Sequence, residues 1–259
     1  MSTLLNKQKS NVNPKFRKEK TMQTTKQNMS LEDALNIFHA RNYAYDILRR
    51  FFIEEPSKEY LKPFIYQKMI ELFPFQEESK GIREGIQDIK NYLSSFDPVN
   101  NSEDYDNLHW DYTRMYIGPF EILVKPYESS YVSNDGLLFQ ETTMSVRKLY
   151  KQFAFQSVDH LEADDHIGLE LDFIFHLNQL CIESCNPDNA NALAEVNYLL
   201  QQQQTFINNH LVKYVKEFTK GTILNADTDF YKGLAKILEH YILIDLNVLN
   251  ELLNIQLEY

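Results

Sequence analysis

Apolar side chains recur three and four positions apart along most of this 259-residue chain, the spacing that gives a helix one buried face. Leu31, Ala34, Leu35, Phe38, Tyr45, Leu48 and Phe52 form the first stripe. Ser30 with Asp33 opens it as a variant capping box, and Pro56 closes it. Pro63, placed in a first turn, starts a second helix carrying Phe64, Ile65, Met69, Leu72 and Phe73. Ile82, Ile86, Ile89, Leu93 and Phe96 mark a third, stopped by Pro98. From Ser102 the stripe is Tyr105, Leu108, Tyr112 and Met115, ended by Gly118-Pro119. Helical spacing resumes at Val146, Leu149, Tyr150 and Phe153, and again from Ile167 to Cys185. A longer stretch runs from Asn189 to Thr219, with Gly221 as its C-cap. Asp227 or Thr228 caps a last helix through Leu234, Ile237, Leu238, Tyr241, Val248 and Leu252. No segment alternates with period two, so an all-α fold is predicted: one helical domain over 30–259 after a polar, basic tail at 1–29. Its halves, about 30–155 and 164–259, meet at a hinge near 156–163. The glutamine run at 201–204 reads as an exposed helix face.

Residues 117–136 break this regularity. A structureless stretch of that length inside a compact domain is often functional, and this one carries Phe120, Tyr127 and Tyr131 where core burial is hard to arrange. Charge sharpens the picture. Residues 1–28 carry seven basic side chains against Glu19, a net of +6, which leaves −17 for the rest of a chain whose total is −11. So acidic a body repels phosphate backbones and argues against a nucleic-acid partner. Cys181 and Cys185, the two cysteines, sit four apart in a helical pattern, too few for a metal cluster and poorly placed to bridge each other. No apolar run reaches membrane-spanning length, and the basic start lacks the apolar core of an export signal.

The candidate chemistry lies at Glu162, Asp164, Asp165 and His166, where a helix begins. One reading is electrostatic: carboxylates there meet the positive end of the helix dipole, each contributing about 0.3–1 kcal/mol. In the other, Asp165 sits in a groove and receives an arginine fork, with His166 supplying a donor beside it. Asp172 and His176 lie four apart on one helix face, but no His-Glu-x-x-His or dense ligand cluster accompanies them. No Gly-x-Ser-x-Gly elbow and no Walker-type phosphate loop is present.

At these residues the chain resembles the TorD/DmsD/NarJ family of cytoplasmic redox-enzyme maturation chaperones, over about residues 30–220. Tyr112 to Pro119 stands in the place of Tyr/Trp-x-x-Leu-Phe-x-Gly-Pro, and Pro126-Tyr127-Glu128-Ser129 in the place of Pro-Tyr/Trp-Gly/Glu-Ser. Ala163-Asp164-Asp165-His166, followed by Gly168, matches Pro-x-Asp-His-x-Gly with Ala163 replacing the proline. The resemblance implies a single all-helical domain in the cytoplasm, without catalytic activity or cofactor. It implies binding of a twin-arginine signal peptide on the apo catalytic subunit of a molybdopterin-dependent oxidoreductase, delaying export until the cofactor is inserted. Carried over by position, the peptide-binding residues are Tyr112, Met115, Tyr116, Phe120, Tyr127, Asp165 and His166. It also implies a monomer or a domain-swapped homodimer, with the exchange near 156–163. An arginine–carboxylate contact of about 1.5–3 kcal/mol, two or three buried apolar side chains at about 1.5–3 kcal/mol each, and several kcal/mol of ordering cost give roughly micromolar affinity. Two other classes stand beside this one: a metal- or nucleotide-dependent hydrolase on a helical bundle, with Asp165, His166 or His176 as ligands, and a helical adaptor without signal-peptide specificity.

Overall fold

The computed structural model describes residues 28–118, 121–133, 141–156, 162–186 and 188–258. Within them the chain folds as a single all-α domain. Side-chain caps set several helix starts: Ser30, Ser57, Ser79, Asn101 and Thr228 each accept a backbone N–H of the first turn that follows. The helices are α1 (Leu31–Ile53), α2 (Lys58–Tyr66), α3 (Lys80–Ser95), α4 (Ser102–Tyr112), α5 (Ser129–Val132), α6 (Glu141–Gln152), α7 (Ile167–Ser184), α8 (Ala192–Asn209), α9 (Leu211–Asn225) and α10 (Asp229–Asn254). A 3₁₀ turn, Met69–Leu72, follows α2, and a π-helical turn, Thr113–Ile117, prolongs α4.

The core forms where the stripes meet. α10 lies along α3, α9 and α8, and α1 lies along α7. Phe38, Phe51, Phe52, Phe64, Phe173, Phe206, Tyr214, Tyr231 and Tyr241 are all buried at their contacts. Buried polar side chains stitch the layers together. Arg41 of α1 reaches Asp245 of α10 through Nε–Oδ1 at 2.5 Å and Nη2–Oδ2 at 2.9 Å, while Asn178 of α7 accepts from Nη1 at 2.8 Å. No helix among the described residues is long and apolar enough to cross a membrane.

Several local expectations give way. Two three-residue strands, β1 (Asn28–Ser30) and β2 (Gln256–Glu258), pair in parallel, so residues 28 and 29 of the expected tail belong to the folded body. Pro63 lies well inside α2 rather than in its first turn. The expected helix 189–219 is two helices broken at His210, whose φ of −125° and ψ of −82° leave the helical region. Gly221 lies inside α9, not at its end. Gln203, inside the glutamine run, is buried and donates to the Cys181 sulfur at 3.3 Å. Phe120 and most of the expected hinge, 157–161, fall outside the described residues.

Candidate functional site

The motif segments converge, and the backbone shows how. α4 passes into its π turn with Gly118 N–H bonded to the Thr113 carbonyl at 2.6 Å. Gly118 then takes a φ of +66°, a conformation L side chains rarely adopt, and an added Cβ would meet the Glu121 carbonyl oxygen at 2.7 Å. The chain turns back, and Val124 N–H bonds to the Met115 carbonyl at 2.9 Å. Met115 is fully buried. Tyr112 and Tyr116 are buried beside it, their rings 4.9 Å apart, and Tyr116 hydrogen-bonds Thr222 at 3.0 Å. These three form an apolar floor beneath the returning segment.

That segment next meets the acidic start of α7. Ile167 N–H donates to the Pro126 carbonyl at 2.7 Å and Glu128 N–H to the Asp165 carbonyl at 2.9 Å, making Tyr127 and His166 an antiparallel bridge pair. Their rings meet edge to face at 5.5 Å, and the Tyr127 hydroxyl donates to Glu162 at 2.5 Å. The His166 Nδ1 accepts the Gly168 N–H at 3.1 Å, which caps α7 and assigns the ring proton to Nε2. Gly168 lets α7 approach the end of α1: a Cβ there would stand 2.4 Å from the Ile53 Cα. Replacing Gly168 with alanine is expected to cost about 1–3 kcal/mol, read as a lower denaturant midpoint at unchanged slope.

Asp165 is fully buried. Its Oδ2 accepts Ser129 N–H at 2.9 Å and its Oδ1 accepts the Thr143 hydroxyl at 2.8 Å. The carboxylate therefore welds the Pro-Tyr-Glu-Ser segment and α6 to the start of α7, and offers no open face to an arginine in this conformation. Of the seven residues expected here, Tyr112, Met115, Tyr116, Asp165 and His166 are buried and Tyr127 is half-buried, all in one neighbourhood.

Beneath the bridge lies a group of residues that the sequence reading did not single out. Glu128, Glu170 and His210, all buried, bring one ligand-type atom each to within 4.8 Å of one another. His210 Nδ1 and Glu128 Oε2 are 2.7 Å apart, and Tyr214 donates to Glu170 Oε2 at 2.9 Å. Burial, then the charge of Glu128, pushes the Glu170 carboxyl well above the usual carboxylate range. Glu128 and Glu170 each keep one buried oxygen, Oε1, that has no hydrogen-bond partner among the described residues. Two carboxylate oxygens and one imidazole nitrogen are a donor set of the kind that holds a divalent cation. The signal that could have found the group was Glu170 itself, a charge in the otherwise apolar run Ile167–Leu171. By contrast, Asp172 pairs with Arg49 at 2.9 Å and His176 bonds the Phe153 carbonyl at 3.0 Å, so these two side chains, four apart on one helix face, are engaged elsewhere.

Because Glu170 keeps its proton in the folded state, stability falls as pH rises from about 4.5, where the unfolded carboxyl ionises, towards its raised folded value. Glu170→Gln, which keeps the shape without the titration, is expected to flatten that slope in thermal melts across the window. An unchanged slope would place the proton elsewhere.

A bundle whose sequence-remote acidic and aromatic motifs are joined by backbone bonding defines a class. The family model described as "Nitrate reductase delta subunit" matches residues 76–220, more than half of the chain. The chain belongs to this family, which includes the TorD and NarJ proteins. Among curated relatives, "Chaperone protein TorD" of Aliivibrio salmonicida is 24% identical over 218 residues, 83% of this chain and 97% of that one. The TorD chaperone of Aliivibrio fischeri is 26% identical over 159 residues, 61% and 71% of the two chains. That of Vibrio parahaemolyticus is 22% identical over 195 residues, 75% and 87%.

Proposed function

We propose that this protein is a cytoplasmic maturation chaperone that performs no chemistry of its own. It holds the twin-arginine signal peptide and the apo catalytic subunit of a molybdopterin-dependent oxidoreductase, and releases them for export after cofactor insertion. The observation that carries this reading is the Tyr127–His166 bridge. It brings the aromatic segment and the acidic helix start into one structure, on a chain whose relatives are named as chaperones.

In this reading Tyr112, Met115 and Tyr116 are the floor on which the segment carrying Val124 and Tyr127 rests. Asp165 and His166 are positioning residues that fix that segment against α7. Tyr127, Glu162 and Asp164 are the members left partly open to a partner. The Asp165 carboxylate and the His166 Nδ1 are engaged by Ser129, Thr143 and Gly168, which suits a positioning role.

The reading is tested by using the full chain as bait in anaerobic cell extract. The expected prey is the catalytic subunit of a molybdopterin-dependent oxidoreductase with its leader attached, and deletion of that leader should reduce its recovery. Recovery that is equal without the leader would contradict recognition of the signal peptide.

A further inference from the structure

The face of α4 that turns away from the buried motif residues borders a cavity of about 590 Å³ between α3, α4 and the α9–α10 turn. That volume falls within the range of small-ligand and side-chain pockets. Its walls include Tyr92, Phe96, Trp110, Arg114, Asp227 and Asp229. Trp110 is 61% exposed and Phe96 42%, an unusual outlay of aromatic surface for one place. Tyr92 stacks on Phe96 at 4.8 Å, is 94% buried, and its hydroxyl has no partner among the described residues.

The electrostatics select the occupant. Arg114, the one cation in the described lining, is already committed: its Nη2 lies 3.1 Å from Asp111, 2.9 Å from Asp227 and 2.5 Å from the Asn225 carbonyl. Asp111, buried behind it, is used up by the Asp227 and Thr228 N–H groups and the Thr228 hydroxyl. Asp227 and Asp229 remain the open carboxylates, with side chains 77% and 60% exposed, although Lys232 stands 3.1 Å from Asp229. Asp111, Asp227 and Asp229 against Arg114 leave the lining at −2. Aromatic walls under a negative rim suit a guanidinium or ammonium with an apolar neighbour, the cation lying over a ring and beside a carboxylate.

We propose that this groove binds a cationic residue and the apolar side chain next to it from a client's signal peptide, with Asp227 and Asp229 meeting the charge and Trp110 and Phe96 covering the apolar group. This rests on the chaperone reading, and it moves the charge-receiving role from buried Asp165, before α7, to the exposed carboxylates Asp227 and Asp229 at the start of α10.

Trp110 is the only tryptophan in the chain, so its fluorescence reports on this groove alone. The full chain is titrated with a synthetic twin-arginine leader peptide, followed in parallel by calorimetry and by Trp110 emission. The expected result is a saturable shift to shorter wavelength, with the same midpoint as the heat. The double variant Asp227→Asn, Asp229→Asn should bind about 3- to 10-fold more weakly and lose most of its salt dependence. Heat without any change in Trp110 emission would overturn the groove assignment and leave the chaperone reading standing. No binding by either method would remove both. Unchanged affinity in the double variant, equal binding of an uncharged apolar peptide, or an emission shift that depends on protein concentration without peptide would each overturn it, the last by assigning the face to a second copy.

Discussion

Replacing Arg41 with methionine is expected to destabilise the protein by about 3–5 kcal/mol, because it leaves Asp245 charged and without its guanidinium in a fully buried site. In a chain of this size that is a fall of about 6–20 °C in melting temperature. Asp245 would keep the Tyr45 hydroxyl, at 2.7 Å, but no cation, and Asn178 would lose the donor to its Oδ1. The double variant Arg41→Met, Asp245→Leu removes both charges together and should recover most of the loss, since a buried ion pair stabilises little relative to apolar side chains of similar volume. Thermal melts of the two variants check the pair. If the single variant melted within about 2 °C of the parent protein, solvent would have to reach Asp245.

The second large effect is expected at Asp165, and it depends on which side chain replaces it. Asp165→Ala removes two charge-assisted hydrogen bonds, from Ser129 N–H and the Thr143 hydroxyl, and leaves a buried donor unsatisfied. A loss of about 3 kcal/mol is expected, at about 1.5–3 kcal/mol for each bond made to a charged group and less than their sum because the two share one acceptor. Asp165→Asn keeps an oxygen for Ser129, and its amide can donate to the Thr143 hydroxyl. That variant should fold with a loss under about 1.5 kcal/mol. It also takes one negative charge away from the Glu128–Glu170–His210 group, which Asp165 faces. Chemical denaturation distinguishes the two variants. Equal losses would mean that the negative charge itself, acting on the start of α7, is what stabilises the site.

The periodic stripes carried the helical class because a buried helix face needs apolar residues at three- and four-residue spacing, and most of the expected stripes are helices in the structure. Caps were legible for the same local reason: Ser30 and Thr228 act as expected. What the stripes could not carry is anything set by contacts distant along the chain. Arg41 and Asp245 are 204 residues apart, and each alone reads as a surface charge on its helix. The break at His210 interrupts a run with no proline or glycine, and the contact of that side chain with Glu128 is visible only in three dimensions. Gly221 looked like a helix end, yet it lies inside α9 against Val124, 3.2 Å from where its Cβ would stand. In the candidate site, the nearness of Tyr127 to Asp165 and His166 followed from the resemblance, whereas the burial of the Asp165 carboxylate under Ser129 and Thr143 did not. A short acidic string reads the same whether its carboxylate caps, welds or waits for a partner.

The most direct measurement is calorimetry of the full chain with a twin-arginine leader peptide and with the same peptide carrying lysines in place of both arginines. A guanidinium forks onto a carboxylate and stacks on an aromatic ring in ways an ammonium does not. The twin-arginine form is therefore expected to bind at about micromolar Kd, and the lysine form about tenfold more weakly or worse. Equal affinities, or no heat from either peptide, would contradict a chaperone that recognises this signal.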